Sequence, residues 1–132
     1  MTPLALTKED STTIGFVVAC LFTGVIDRGE LHAWADHVLV TSDSYPLYIV
    51  DLSTFDQTLP HIYEVIGFVP GSGLTDDEYV ALVGIAFTRG RSRFEPMPTR
   101  EDALAGLAEH PHVMARFRST FPFIELDHEQ AV

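Results

Sequence analysis

Apolar residues recur every three or four positions along most of the chain, which is the periodicity of helices with one buried face. Between Ile14 and Phe22 the apolar positions surround the helix axis, so this segment predicts a central helix buried on nearly all sides. We expect Thr7 to cap this helix and Gly24 to end it. A second helix is predicted from about Arg28 to Val40, and its buried face comprises Leu31, Trp34, Ala35, Val38 and Leu39.

The next part of the chain has a less clear pattern. From Tyr45 to Phe55, β-branched and aromatic residues favour a strand, whereas Pro46 suits the first turn of a helix capped by Ser44. Because apolar and polar residues do not alternate there, a short helix is favoured, and an extended segment near 45–52 is the alternative. Another short helix is predicted over residues 60–68, closed by Pro70 and Gly71.

The strongest local signal is the sequence from Thr75 to Glu78, which matches a capping box at the start of a helix. In a capping box the two side chains satisfy each other's backbone N–H groups. The buried stripe of this helix is predicted to comprise Tyr79, Leu82, Val83, Ala86 and Phe87, and Gly90 is its expected end.

The last third of the chain predicts two further helices. One is capped by Thr99 and runs to about Glu109, and the other starts at Pro111 with Val113, Met114 and Phe117 facing inward. Residues 121–126 are expected to pack back as an extended tail. The fold class is therefore mainly α, a single irregular orthogonal helical domain of about six or seven helices.

Composition supports one globular domain spanning residues 1–132, because 46% of the residues are apolar and 20% are charged. Cys20 is the only cysteine, which excludes an intramolecular disulfide and fits a reducing, cytoplasmic compartment. The apolar run from Ile14 to Ile26 is shorter than the roughly 20 residues of a membrane span, and acidic residues precede it. No membrane association is therefore expected.

The net charge of −11 is distributed unevenly along the chain. Residues 9–88 hold twelve acidic residues and one arginine, whereas residues 89–118 contain six arginines. An acidic field repels nucleic acids and attracts basic partners. For Arg89, Arg91 and Arg93 we expect pairing within the protein and stacking on an aromatic ring such as Phe94.

No group of residues predicts catalysis, a metal site or a cofactor. His32 and Asp36 are four residues apart on one helix face, but a catalytic zinc ion needs three protein ligands. The acids beside Thr75 complement the helix dipole, and Cys20 has the apolar neighbours of an inert core thiol. The glycine-rich segment 71–73 lacks the lysine of a phosphate-binding loop.

Two segments, GELHAWADHVL at residues 29–39 and YPLYIVDLS at residues 45–53, carry a resemblance to a known class of proteins. They are similar to small bacterial immunity proteins encoded beside contact-dependent growth inhibition toxins and other polymorphic toxins. The resemblance implies a short, acidic, non-enzymatic protein that binds one cognate toxin domain.

The resulting hypothesis is a non-enzymatic immunity protein that neutralises a toxin domain with a basic surface, expected to be a nuclease. The alternatives are a small self-associating structural or regulatory domain, or an enzyme whose site residues are dispersed in the sequence. The arginine-rich segment, residues 89–118, should lie largely outside the binding surface. The candidate partner-binding residues are Glu30, Asp36, Asp43, Asp56, Asp76 and Asp77.

Overall fold

The computed structural model describes residues 4–91 and 98–124. In these ranges the chain forms seven α-helices, one 3₁₀ turn and no strand, which confirms the mainly helical class and the number of helices. The helices are α1 (Thr12–Phe22), α2 (Arg28–Thr41), α3 (Tyr48–Leu52), α4 (Ile62–Ile66), α5 (Asp76–Thr88), α6 (Arg100–Glu109) and α7 (Pro111–Thr120), and the 3₁₀ turn Leu59–His61 precedes α4.

The chain divides into two compact units. The first unit comprises residues up to 22 and residues 26–73, and the second comprises residues 23–25 and the chain from 74 onward. The first unit thus carries α1 to α4, and the second carries α5 to α7. The organisation of residues 1–132 as one domain stays a prediction.

Helix α1 is buried on nearly all sides, as predicted, although Phe22 at its end is exposed. The prediction that Thr7 caps it is wrong, because the helix begins at Thr12. The carboxylate of Asp10 accepts hydrogen bonds from the backbone N–H and the hydroxyl of Thr12, at 3.3 and 3.0 Å. Thr7 instead closes a separate turn with Asp10, and its backbone N–H donates to the Asp10 carbonyl at 3.1 Å.

Helix α2 has the predicted extent to within one residue, and Trp34 on its inner face is 1% exposed. The ambiguous segment near 45–52 contains the short helix α3, although Ser44 does not cap it. The helix predicted over 60–68 is shorter than expected. Gly67, with a φ of 93°, ends it before Pro70, because glycine adopts this left-handed conformation without steric cost.

Helix α5 begins with the predicted capping box. The hydroxyl of Thr75 accepts from the Glu78 N–H at 3.1 Å, and the Glu78 carboxylate accepts from the Thr75 N–H at 2.9 Å. The predicted stripe is too narrow, because all residues from 81 to 86 are buried. Tyr79, placed in that stripe, is 43% exposed.

The broad burial of α5 follows from its close packing on α6 at Gly84. A Cβ atom built on Gly84 would lie 2.4 Å from the carbonyl oxygen of Ala103 and 2.9 Å from Cβ of Leu107. No side chain fits in that space, so the backbones of the two helices approach each other there. Thr99 caps α6 as predicted, and its hydroxyl accepts from the Asp102 N–H at 3.1 Å.

Helix α7 starts at Pro111 and buries Val113 and Phe117, while Met114 is half-buried. The extended tail predicted from residue 121 is wrong for residues 121–124, which form a turn closed by the Ile124 N–H and the Phe121 carbonyl at 3.0 Å. The Phe121 ring packs against Phe117, with centroids 5.1 Å apart, and this contact favours the turn. Residues 125 and 126 lie outside the described residues.

Arg89 is used within the protein, as predicted for the arginine cluster. Its guanidinium donates to the Val25 carbonyl at 2.6 Å and lies 5.9 Å from the centroid of the Phe117 ring. Arg93 and Phe94 lie outside the described residues. Along the described ranges, every helix is too short or too polar to cross a membrane.

Candidate protein-binding surface

The surface begins with the local structure at the start of α2. Asp27 caps this helix, since its carboxylate accepts from the Glu30 N–H at 2.8 Å. The Glu30 carboxylate in turn accepts from the Asp27 N–H at 3.1 Å and completes a capping box. Sequence reasoning missed this cap, although an acid followed three residues later by glutamate was the signal that could have found it.

The chain after α2 runs back along this helix. The Arg28 guanidinium donates to the Gln57 carbonyl from Nε at 3.2 Å and from Nη2 at 2.9 Å. Nε2 of His32 lies 2.6 Å from the Phe55 carbonyl oxygen, and because a carbonyl only accepts, this ring nitrogen carries the proton. Residues 27–57 therefore form a helical hairpin, which consists of the capping residue Asp27, α2, a connecting loop, α3 and a return segment bound to the start of α2.

Four exposed aspartates lie on this hairpin. Asp36 is one helical turn beyond His32, on the α2 face that meets the return segment. Asp56 lies in the return segment between Phe55 and Gln57, the two residues whose carbonyls accept the hydrogen bonds from α2. Asp43 lies in the connecting loop and Asp51 on the outer side of α3. We name these four residues the hairpin acidic surface. Within the described part of the chain, their carboxylates take part in no salt bridge or side-chain hydrogen bond.

The predicted partner-binding residues are thus only partly brought together. Asp36, Asp43 and Asp56 share the hairpin, and Glu30 also lies there, although its carboxylate is engaged in the α2 cap. Asp76 and Asp77 are exposed in the first turn of α5, in the second unit. Sequence reasoning missed Asp51, because its outward direction could be assigned only once residues 48–52 were known to be helical.

The hairpin carries a strong negative charge that is not neutralised locally. Residues 27–57 contain six acidic residues and one arginine, a net charge of −5 with neutral histidines. The guanidinium of Arg28 donates to a backbone carbonyl, so it holds the return segment in place. The field above the hairpin therefore favours basic groups.

The groups with a clear pKa shift are explained by local structure. Burial raises the pKa of the Tyr48 phenol, whose hydroxyl donates to the Leu6 carbonyl at 2.5 Å, and burial also raises the pKa of Tyr63.

No set of three histidine, cysteine, aspartate or glutamate side chains within residues 4–91 and 98–124 is arranged to hold a metal ion. An open depression at the start of α6 is lined by Thr99, Arg100, Glu101 and Leu104.

Hydrogen bonds at the start of α5 lower the pKa of Glu78, and we predict that protonation of its carboxylate in acid destabilises the α5 cap. Its hydrogen bond from the Thr75 backbone, aided by one from His112 at 2.5 Å, lowers its pKa from 4.5 to about 2. Because the folded-state value is the lower one, the stabilisation is fully present above pH 4.5 and is lost as the pH falls towards 2.

The measurement is an NMR titration of the Glu78 side chain together with unfolding curves across this pH window. A Glu78→Gln variant should lose the part of the acid dependence that Glu78 contributes, and Glu109→Gln, an exposed acid at the end of α6, is the control. An ordinary titration of Glu78 near pH 4.5 would contradict the prediction.

Comparison of the chain with protein-family models, with curated proteins and with solved structures found no match. The functional argument therefore depends on the chemistry of the surface itself. That chemistry is a set of exposed, locally unpaired carboxylates, held on two packed helices by a capping box and by backbone hydrogen bonds.

Proposed function

We propose that this chain is a non-enzymatic binding protein of the immunity type, which neutralises a cognate toxin domain by covering its basic surface. The observation that supports the proposal is the hairpin acidic surface, with four exposed carboxylates that no cation of the described residues neutralises. Carboxylates that are satisfied internally, such as that of Glu30, contribute to folding. Carboxylates left without partners are available to an incoming basic protein.

The expected toxin is a nuclease, because a protein that acts on nucleic acid must present positive charge to the phosphate backbone. A complementary acidic surface speeds the encounter of the two proteins and selects against acidic competitors. The proposed site of action is the cytoplasm, where such a toxin finds its substrate. Cys20 is buried and is the only cysteine of the sequence, so no disulfide forms within the chain, which is compatible with that reducing compartment.

The test measures binding to the domain encoded directly upstream of this chain, by stopped-flow at 20 and 200 mM salt. We expect Asp36→Asn combined with Asp56→Asn to slow association about tenfold at low salt and to weaken its salt dependence. Glu101→Gln combined with Glu109→Gln is the matched control, since it removes two exposed acids of α6, which lies within the arginine-rich segment. This control should associate within about twofold of the unmodified protein.

Two results would contradict the proposal. One is the absence of binding between the unmodified chain and that domain. The other is an association rate that responds neither to salt nor to any change at Asp36, Asp43, Asp51 or Asp56. The acidic residues would then serve solubility alone.

A further inference from the structure

Three large apolar side chains of the hairpin are exposed. Val40 near the end of α2 and Leu47 just before α3 are each 83% exposed, and Val50 within α3 is 47% exposed. Leu47 and Val50 are three residues apart and share the outer face of α3, opposite the buried Ile49 and Leu52. We name Val40, Leu47 and Val50 the hairpin apolar patch.

Along the sequence, the residues of the hairpin apolar patch alternate with those of the hairpin acidic surface. Asp36 precedes Val40 by one helical turn, and Asp43 lies in the loop that joins Val40 to Leu47. Asp51 directly follows Val50. Exposed apolar residues that occur singly need no explanation, whereas three of them that alternate along one hairpin with unpaired carboxylates give it the mixed apolar and polar composition of a protein interface.

We propose that the hairpin apolar patch anchors the partner by contacting an apolar side chain of that partner, and that lysine or arginine residues of the partner flank this side chain. This inference rests on the proposed function and assigns its central contact. The negative charge of the hairpin acidic surface determines the chemistry of the occupant. A second copy of the chain would bring another net charge of −5 against this hairpin, and nucleic acids or anionic membranes would be repelled for the same reason.

The two parts of the surface act at different stages of binding. Long-range attraction by the carboxylates determines how fast the partner arrives, and it weakens as salt screens it. Contacts of the hairpin apolar patch form only at short range, after water has left the interface, so they determine how long the partner stays. Substitutions in the patch should therefore change dissociation and leave association nearly unaltered.

The experiment measures both rate constants with the upstream-encoded domain as the probe, for Val40→Ala, Leu47→Ala and Val69→Ala. We expect Leu47→Ala to speed dissociation about 10–30-fold and Val40→Ala somewhat less, with association within about twofold. Val69, 75% exposed in the loop after α4, is the matched control and should leave both rates unchanged. Thermal melts of the three variants should coincide with that of the unmodified protein, because each side chain is exposed.

The outcomes separate this inference from the proposed function. If the unmodified chain does not bind the domain, the proposed function fails and the inference fails with it. If it binds with salt-dependent association and Leu47→Ala dissociates at the unmodified rate, the function stands and the anchor is elsewhere. Sedimentation of the chain alone should show a monomer, and a dimer that Leu47→Ala dissociates would make a second copy the occupant and overturn the inference.

Discussion

Replacing Trp34 with alanine should lower the free energy of unfolding by about 3–5 kcal/mol, the range found when a large aromatic side chain is removed from a core. Trp34 is 1% exposed and lies on the buried face of α2 together with Leu31 and Val38. The cavity left by the indole would be lined by helices that are fixed by their own contacts. They can close only part of it, so the lost contacts are not regained.

The measurement is thermal and urea unfolding followed by far-UV circular dichroism. At roughly 4 °C per kcal/mol for a domain of this size, the midpoint should fall by about 12–20 °C. Val40→Ala is the matched control on the same helix, since Val40 is 83% exposed and its truncation should change stability by less than about 0.5 kcal/mol. A Trp34→Ala protein with the same melting temperature as the unmodified protein would show that core contacts of the indole do not stabilise α2.

Gly84→Ala should destabilise the second unit by about 1–3 kcal/mol, the usual cost of overpacking a core. In most helix interiors the same change stabilises by about 0.5–1 kcal/mol, because alanine loses less conformational entropy than glycine. At Gly84 the added methyl group would lie 2.4 Å from the Ala103 carbonyl oxygen, far inside van der Waals contact. The obstacle is backbone, which cannot rotate away, so α6 must move and the packing term exceeds the helix propensity.

Gly29→Ala is the control, because Gly29 is exposed in the first turn of α2 and a Cβ atom built there would lie 3.4 Å from Oδ1 of Asp27. This variant should gain up to about 1 kcal/mol. Opposite signs for the two substitutions, measured by urea unfolding, are the expected result. A Gly84→Ala protein as stable as Gly29→Ala would mean that α6 can withdraw without losing its contacts with α5.

The sequence predicted best those features that depend on neighbouring residues. The caps at Thr75 and Thr99 each need one side chain and an N–H group three residues away, and both are present. The predicted start of α1 is wrong because the sequence offers two polar side chains that can each cap the helix. Thr7 and Asp10 are both acceptable caps, and the turn that joins them leaves Asp10 to bond Thr12.

Features that depend on packing between helices could not be predicted in this way. The stripe on α5 was drawn from its large apolar residues, but small residues such as Ala81 and Gly84 let α6 approach and so bury the other sides too. The periodicity of apolar residues does not predict the hairpin apolar patch, for a similar reason. Val40 and Leu47 are ordinary apolar residues in the sequence, and only the arrangement of α2 and α3 shows that nothing in the described chain covers them.

The position of Trp34 has a spectroscopic consequence. It is the only tryptophan of the chain and belongs to the first unit, so indole emission reports on the unit that carries the hairpin. Ellipticity, by contrast, sums over the helices of both units. Coincident transitions by the two probes would identify one cooperative structure, and separate transitions would give each unit its own stability. In either case, a protein that docks on the hairpin would raise the midpoint of the unfolding transition followed by indole emission. Fluorescence would then report this binding without an added label.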